Sequence, residues 1–212
     1  VFITFEGIDG AGKTTQIERL RVRLADLGLP VVCTREPGGT KIGDQIRALL
    51  LNPENTDMSP AAEVLLYAAS RAQLLHEVIR PALQRGEVVV CDRYVDASIA
   101  YQGAGLEVGE SPVARVNDFA TDYLVPDLTL MFDFPVEVSQ SRVQESRIGN
   151  APDRIERRTT EYFNRVRKAF LSIAEQSPGR VVIIDATQAR DIVEQEIWTQ
   201  VSNCLQYQGF RR

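Results

Sequence analysis

The residues Gly7-Ile8-Asp9-Gly10-Ala11-Gly12-Lys13-Thr14 carry the clearest chemistry in the chain. They fit G-x-x-x-x-G-K-[ST], the pattern of a phosphate-binding loop, or P-loop. Glycines let the backbone approach a phosphate chain without a Cβ in the way. The amides of the turn, and of a helix that follows it, then point at negative charge. Lys13 has the length to reach the β- and γ-phosphates of a nucleotide, and the Thr14 hydroxyl can ligate Mg²⁺. Gly7, Asp9, Gly10, Ala11, Gly12, Lys13, Thr14 and Thr15 are the candidate phosphate-binding residues.

A second charged group stands at Asp92-Arg93-Tyr94, after an apolar run. An Asp at a strand end beside a P-loop can hold Mg²⁺, directly or through water. Arg93 offers a planar fork for a second phosphate. Thr34-Arg35-Glu36 ends another apolar run on the same side. The implied chemistry brings two phosphate groups together over a metal, one on the loop and one on separate arginines.

Strands and helices must place these groups. Val1–Glu6 is apolar and β-branched, a buried strand leading into the loop. After the loop, Ile17, Leu20, Leu24 and Leu27 recur at helical spacing. Further strands are expected at 30–34, 87–91, 128–132 and 181–184. Helical spacing recurs at Ile42, Ile46, Leu49 and Leu50, from about Pro60 to Gln84, where Pro81 kinks or ends it, and from Ser111 to Leu124. Continuous apolar strands separated by helices predict an α/β fold, a five-stranded parallel sheet with helices on both faces. The site belongs at the strands' C-terminal ends. Arg142 to Asp153 reads as a short lid insertion, polar, with Gly149 and Pro152; Asp153 can cap the helix after it, with Glu156 three residues on.

Composition limits the rest. A chain of 212 residues suits one α/β domain. Its 44% hydrophobic and 25% charged content is ordinary for a globular protein, and a net charge of −5 argues against broad nucleic-acid binding. No apolar run approaches the roughly 18 residues of a membrane span. No signal segment is visible, although Val rather than Met at position 1 implies a few residues before it. Cys33, Cys91 and Cys204 lack the spacing of a disulfide framework or zinc site; Cys33 and Cys91 read as buried, in a reducing cytoplasm. His76, the sole histidine, reads as a solvated helix position.

Six blocks in order make the chain resemble the thymidylate kinases, P-loop nucleoside monophosphate kinases, over nearly its whole length. They are Phe5–Thr15, Thr34–Thr40, Leu66–Arg71, Asp92-Arg93-Tyr94 running on to Ser98–Gly103, Pro126–Thr129 and Asp153–Glu156. Arg35-Glu36-Pro37-Gly38-Gly39-Thr40 is the discriminating block. The resemblance implies a P-loop NTPase fold, with 1–212 as a single kinase domain. It implies transfer of the ATP γ-phosphoryl to dTMP with Mg²⁺, held by Thr14 and Asp92. Tyr67 would stack on thymine. Arg71, one helical turn on, would donate to a pyrimidine carbonyl. Gln102 suits the base's O–N–H edge, and Ser98 lines the same pocket. Glu36 would accept the sugar 3′-hydroxyl, Asp9 would assist there or orient the acceptor phosphate, Arg47 and Arg93 would clamp that phosphate, and Tyr101 would disfavour a ribose.

Some members of the family place an arginine in the P-loop where this chain has Gly10; in the bacterial type, lid arginines supply the charge. Here Arg147 is the expected transition-state arginine and Arg154 the next, while Arg142 stacks on adenine. Asp185-Ala186-Thr187-Gln188 follows the fifth strand, where the family's base-binding loop lies; the same residues also read as an ordinary strand-to-helix turn. The resemblance also implies a homodimer through helix faces. The rivals are a deoxynucleoside kinase, which would act on thymidine, and a non-catalytic nucleotide-binding module, which would have lost Lys13, Asp92 or the lid arginines. A guanine-binding [NT]-K-x-D motif and a strand ending in Asp-Glu are both absent, which removes GTPases and motor ATPases.

Overall fold

The computed structural model describes residues 1–146 and 151–209. In chain order the elements are β1 (Phe2–Glu6), α1 (Lys13–Asp26), β2 (Val31–Arg35), α2 (Lys41–Leu51), α3 (Pro60–Leu74), α4 (Arg80–Gln84), β3 (Val88–Asp92), α5 (Val95–Ser98), α6 (Glu110–Thr121), β4 (Leu128–Asp133), α7 (Val136–Ser146), α8 (Thr160–Gln176), β5 (Val181–Asp185) and α9 (Arg190–Tyr207). Two π-helical segments, Leu75–Ile79 and Ile99–Gly105, complete the helical parts.

The strands form one five-stranded sheet in the order β2-β3-β1-β4-β5, and every pairing is parallel. Alternation along the strands sorts side chains between two layers of helices. Ile3, Phe5, Val88, Val90, Leu128, Leu130 and Phe132 pack with Leu20 and Leu24 of α1 and Val193, Ile197 and Val201 of α9. On the other face, Phe2, Val89 and Cys91 meet Leu74, Leu75 and Ile79, while Met131 meets Phe163, Val166 and Phe170 of α8. The three central strands are covered on both sides, which is why they read as unbroken apolar runs. Because β1 lies between β3 and β4, the connections diverge on either side of it. The crevice this opens at the C-terminal end of β1 receives the P-loop.

Four expectations need correction. Cys33 is exposed, because β2 is an edge strand with patchy cover; Cys91, in central β3, is buried. Pro81, expected to kink or end the long helix, does not end it: the helical run continues to Gln84. The chain passes through the π turn at Leu75–Ile79, which places Pro81 in the first turn of α4, where its missing N–H costs little. Asp153 forms a capping box, its Oδ1 accepting from Ile155 N and Glu156 N at 2.9 Å while Glu156 Oε2 accepts from Asp153 N at 2.8 Å. That box closes an isolated turn; α8 starts seven residues on and is capped by Thr159. Arg142 lies on helix α7 rather than in a loop. Lid residue Arg147 falls outside the described residues. His76 is exposed on the π segment. No helix among the described residues is long and apolar enough to cross a membrane.

Candidate active site

β1 delivers the chain to Gly7, whose φ is +124° and whose added Cβ would lie 2.4 Å from the Phe132 carbonyl oxygen. Gly10, at φ +76°, stands against α7: a Cβ there would be 3.0 Å from the Ser139 carbonyl oxygen and 3.4 Å from Arg142 Cβ. Ser139 Oγ fastens the contact by donating to the Asp9 carbonyl at 2.5 Å. A side chain at position 10 would have to hold a left-handed φ and crowd this helix, which favours the bare glycine.

Lys13 opens α1 and is buried, with Nζ donating to the carbonyls of Gly7 at 3.1 Å and Ile8 at 3.0 Å. Burial lowers its pKa and Arg93 adds to the effect, against the carboxylates of Asp92, Asp9 and Glu6. A cavity of about 720 Å³ opens over the loop, lined by Asp9 to Gln16, Asp92, Arg142, Glu145 and, from the loop after β5, Ala186 and Gln188. Asp92 Oδ1 is a buried acceptor without a hydrogen-bond partner, in the same cavity as the Thr14 hydroxyl. An orphaned anionic oxygen beside a hydroxyl suits a hard cation whose other ligands come from phosphate and water.

A second cavity, of about 200 Å³, lies on the far side of Asp9. Glu36, Arg47, Tyr67, Arg71, Arg93, Ser98, Tyr101 and Gln102, the eight residues expected around the acceptor, all line it. They come from the end of β2, from α2 and α3, and from the segment after β3. Asp9 lines both cavities.

Arg93 lines the second cavity and reaches back to the loop. Its φ is +71°, a left-handed conformation costly for a side-chain-bearing residue. Two bonds hold it there: Arg93 N donates to Phe5 O at 2.9 Å, and the buried carboxylate of Glu6 accepts from Tyr94 N at 2.7 Å. The guanidinium thus turns back over the loop, donating to Gly7 O at 2.9 Å, Asp9 Oδ1 at 2.7 Å and Tyr101 Oη at 3.2 Å. Partial burial opposes the charge on Asp9, but Arg93 and Lys13 outweigh it and hold its carboxyl at about 2. Glu6 goes the other way: burial, then repulsion from Asp96, pushes it up to about 8.

Arg71 departs from expectation in its bonding. It is 1% exposed, and every guanidinium nitrogen meets a protein acceptor. Nε donates to Glu36 Oε2 at 2.7 Å, Nη1 to Ser98 Oγ at 3.0 Å and to Asn117 Oδ1, and Nη2 to Tyr94 O at 2.9 Å. Nη2 also stands 2.5 Å from the Glu36 carboxylate. A base carbonyl would have to compete with these partners. The other Glu36 oxygen, Oε1, is buried and unpartnered in the cavity wall, an acceptor awaiting a donor. Burial raises the Glu36 pKa although Arg71 opposes it. Arg47 Nη1 rests on Pro37 O at 2.9 Å.

Arg154 is tied to α2 and α3. Its Nη1 pairs with Glu63 at 2.8 Å, its Nε donates to Leu50 O at 2.7 Å, and it lines neither cavity. Glu63, Ser139, Asn117 and Glu6 shape the site without having been singled out in the sequence. Glu63 stands one helical turn before Tyr67, a spacing that marks a shared face. Asn117 and Ser139 reach the site only through tertiary packing and leave no local signal.

The thymidylate kinase family model matches residues 5–197. The chain is 48% identical to a thymidylate kinase of Exiguobacterium sibiricum, over 96% of this chain and 95% of the relative. It is 44% identical to that of an Exiguobacterium species, over 100% and 99%, and 48% identical to that of Pelotomaculum thermopropionicum, over 92% and 90%. With a P-loop at the sheet's switch point and a match of this extent, the chain belongs to the thymidylate kinase family.

Proposed function

We propose that this chain transfers the γ-phosphoryl group of ATP to dTMP, giving dTDP and ADP. The observation that carries the reading is the meeting of two polar cavities at Asp9, one over the P-loop and one walled by Glu36, Arg71 and Gln102. A phosphate oxygen of dTMP attacks the γ-phosphorus, the bond to the β,γ-bridging oxygen breaks, and its electrons leave with ADP. Little covalent help is needed; the protein positions the groups and stabilises charge.

Lys13 exchanges the Gly7 and Ile8 carbonyls for the β- and γ-phosphates. Arg93 and Arg47 clamp the acceptor phosphate, and Asp9 fixes the Arg93 fork. Tyr67 stacks on the base, and Glu36 Oε1 takes the sugar 3′-hydroxyl. Tyr101, whose ring is buried beside Arg93, packs near the sugar 2′ position and disfavours a ribose. Arg142, whose guanidinium lies 4.2 Å above the Phe134 ring, faces the adenine end with Gln188. Arg147 carries the charge that meets the migrating group, a role that Gly10 cannot take. Thr14 and Asp92 would hold Mg²⁺, which neutralises phosphate charge when bound.

Exposed Leu65 on α3 and Phe119 on α6 fit a homodimer, which sedimentation will test. Three free thiols fit a reducing cytoplasm. Incubation with γ-³²P-labelled ATP, Mg²⁺ and either dTMP or thymidine tests the activity. Label in dTDP supports the reading. Label transferred to thymidine alone assigns the chain to deoxynucleoside kinases, and no transfer to either leaves the non-catalytic alternative.

A further inference from the structure

Glu63 of α3 is a buried carboxylate outside the set of groups that would touch substrate. It is 1% exposed, yet gathers three donors from two segments. Oε1 accepts from Gln102 Nε2 at 2.9 Å. Oε2 accepts from Arg158 Nη2 at 2.5 Å and pairs with Arg154 Nη1 at 2.8 Å. Arg158 Nη1 donates to Tyr162 Oη at 2.5 Å, and Tyr162 Oη donates to the carbonyl of Tyr101 at 3.0 Å. Glu63 therefore restrains the 101–102 segment twice, at the Gln102 amide and through Arg158 and Tyr162 at the adjoining backbone.

The chemistry of the first restraint matters for the cavity that Gln102 lines. A side-chain amide has an acceptor end and a donor end, and in a symmetric setting it can turn over. An ionised carboxylate only accepts, so Nε2 must face Glu63 and Oε1 cannot take its place. Oε1 receives no hydrogen bond from the described residues. Thymine presents a donor, N3–H, between two carbonyls; cytosine presents an acceptor at N3. We propose that Glu63 is a specificity-determining positioning residue, which locks the Gln102 amide so that the cavity accepts a pyrimidine with a protonated N3 and refuses cytosine. This rests on the reading of the cavity as the dTMP site.

The test compares dissociation constants for dTMP and dCMP, the latter by competition, in the parent, in Glu63→Gln, and in both forms carrying Gln102→Ala. A merely structural loss weakens both nucleotides alike and leaves their ratio unmoved. With the amide free to turn, the preference for dTMP falls about 10-fold or more in Glu63→Gln, in keeping with the cost of mismatched polar groups in a built site. In the Gln102→Ala background, Glu63→Gln changes the preference no further. Should Glu63→Gln fail to fold, Glu63→Asp keeps the charge for both arginines but withdraws it from Gln102, and the same fall is expected. An unchanged ratio in a folded variant, or a full effect without Gln102, overturns the proposal. If the parent binds no dTMP at all, it is the assignment of the cavity that fails.

Discussion

Replacing Glu36 by Gln removes one charge from the most enclosed ion pair of the acceptor cavity and separates its two duties. Glu36 and Arg71 have side chains 2% and 1% exposed, with Arg71 Nη2 at 2.5 Å and Nε at 2.7 Å from one carboxylate oxygen. Uncompensating a buried guanidinium costs about 3 kcal/mol when a neutral acceptor remains in place, the low end for a broken buried pair. For a chain of this length that lowers Tm by about 6–12 °C. The second duty, proposed for the sugar 3′-hydroxyl, would fall to Oε1, the buried oxygen without a partner. A hydroxyl bonded to a carboxylate contributes about 1.5–3 kcal/mol, so removing the sugar 3′-hydroxyl should weaken binding to the parent about 10- to 150-fold. The assay is calorimetric titration of dTMP and its 3′-deoxy analogue into parent and variant, with thermal unfolding alongside. In Glu36→Gln the same deletion from the ligand should cost about 10-fold less than in the parent, because the charged acceptor has gone. An equal loss in both proteins would refute the assignment of Oε1 to the sugar, whatever the change in Tm.

Three further outcomes follow from the same geometry. Lys13→Ala should lower kcat by about 10²- to 10³-fold through lost charge stabilisation, with dTMP affinity nearly unchanged; steady-state rates with undiminished turnover would remove Lys13 from the reaction. Glu6 is raised from 4.5 to about 8 by burial, so the folded state keeps a proton that the unfolded chain releases, and this contribution is full below pH 4.5 and lost as pH rises through 8. Tm of Glu6→Gln should therefore fall less than that of the parent between pH 5 and 9; parallel curves would contradict the shift. Gly10→Ala must hold a left-handed φ and press Ser139, costing about 1–2 kcal/mol. An unchanged melting temperature would mean that α7 does not rest on the loop.

Local pattern made much of this legible. All five strands appear within a residue or two of the positions their apolar runs imply; the three central ones are buried on both faces and need no periodicity to be seen, while β2 and β5, at the edges, still carry short β-branched runs. Of the eight residues expected around the acceptor, all but Arg47 lie in the motif blocks, and folding brings those distant blocks to one cavity. What local pattern could not supply depended on tertiary placement. The exposure of Cys33 follows from β2 being at an edge, which no property of Val31–Arg35 records. Arg154 reads as a lid cation until Glu63, ninety-one positions away, captures it. The saturation of Arg71 likewise needs Asn117 from α6 and the carbonyl of Tyr94, which only folding brings together. The Asp153 box is a sound local motif, but it caps its own turn rather than the helix it precedes.

Whether two substrates meet across Asp9 can be seen in a crystal structure with dTMP and a non-hydrolysable ATP analogue bound together. The dTMP phosphate is expected on Arg93 and Arg47, thymine between Tyr67 and Gln102, and the analogue's terminal phosphate over Lys13 within in-line reach of the acceptor oxygen. dTMP lodged in the larger cavity over the P-loop, or bound with its phosphate away from Arg93, would contradict that arrangement.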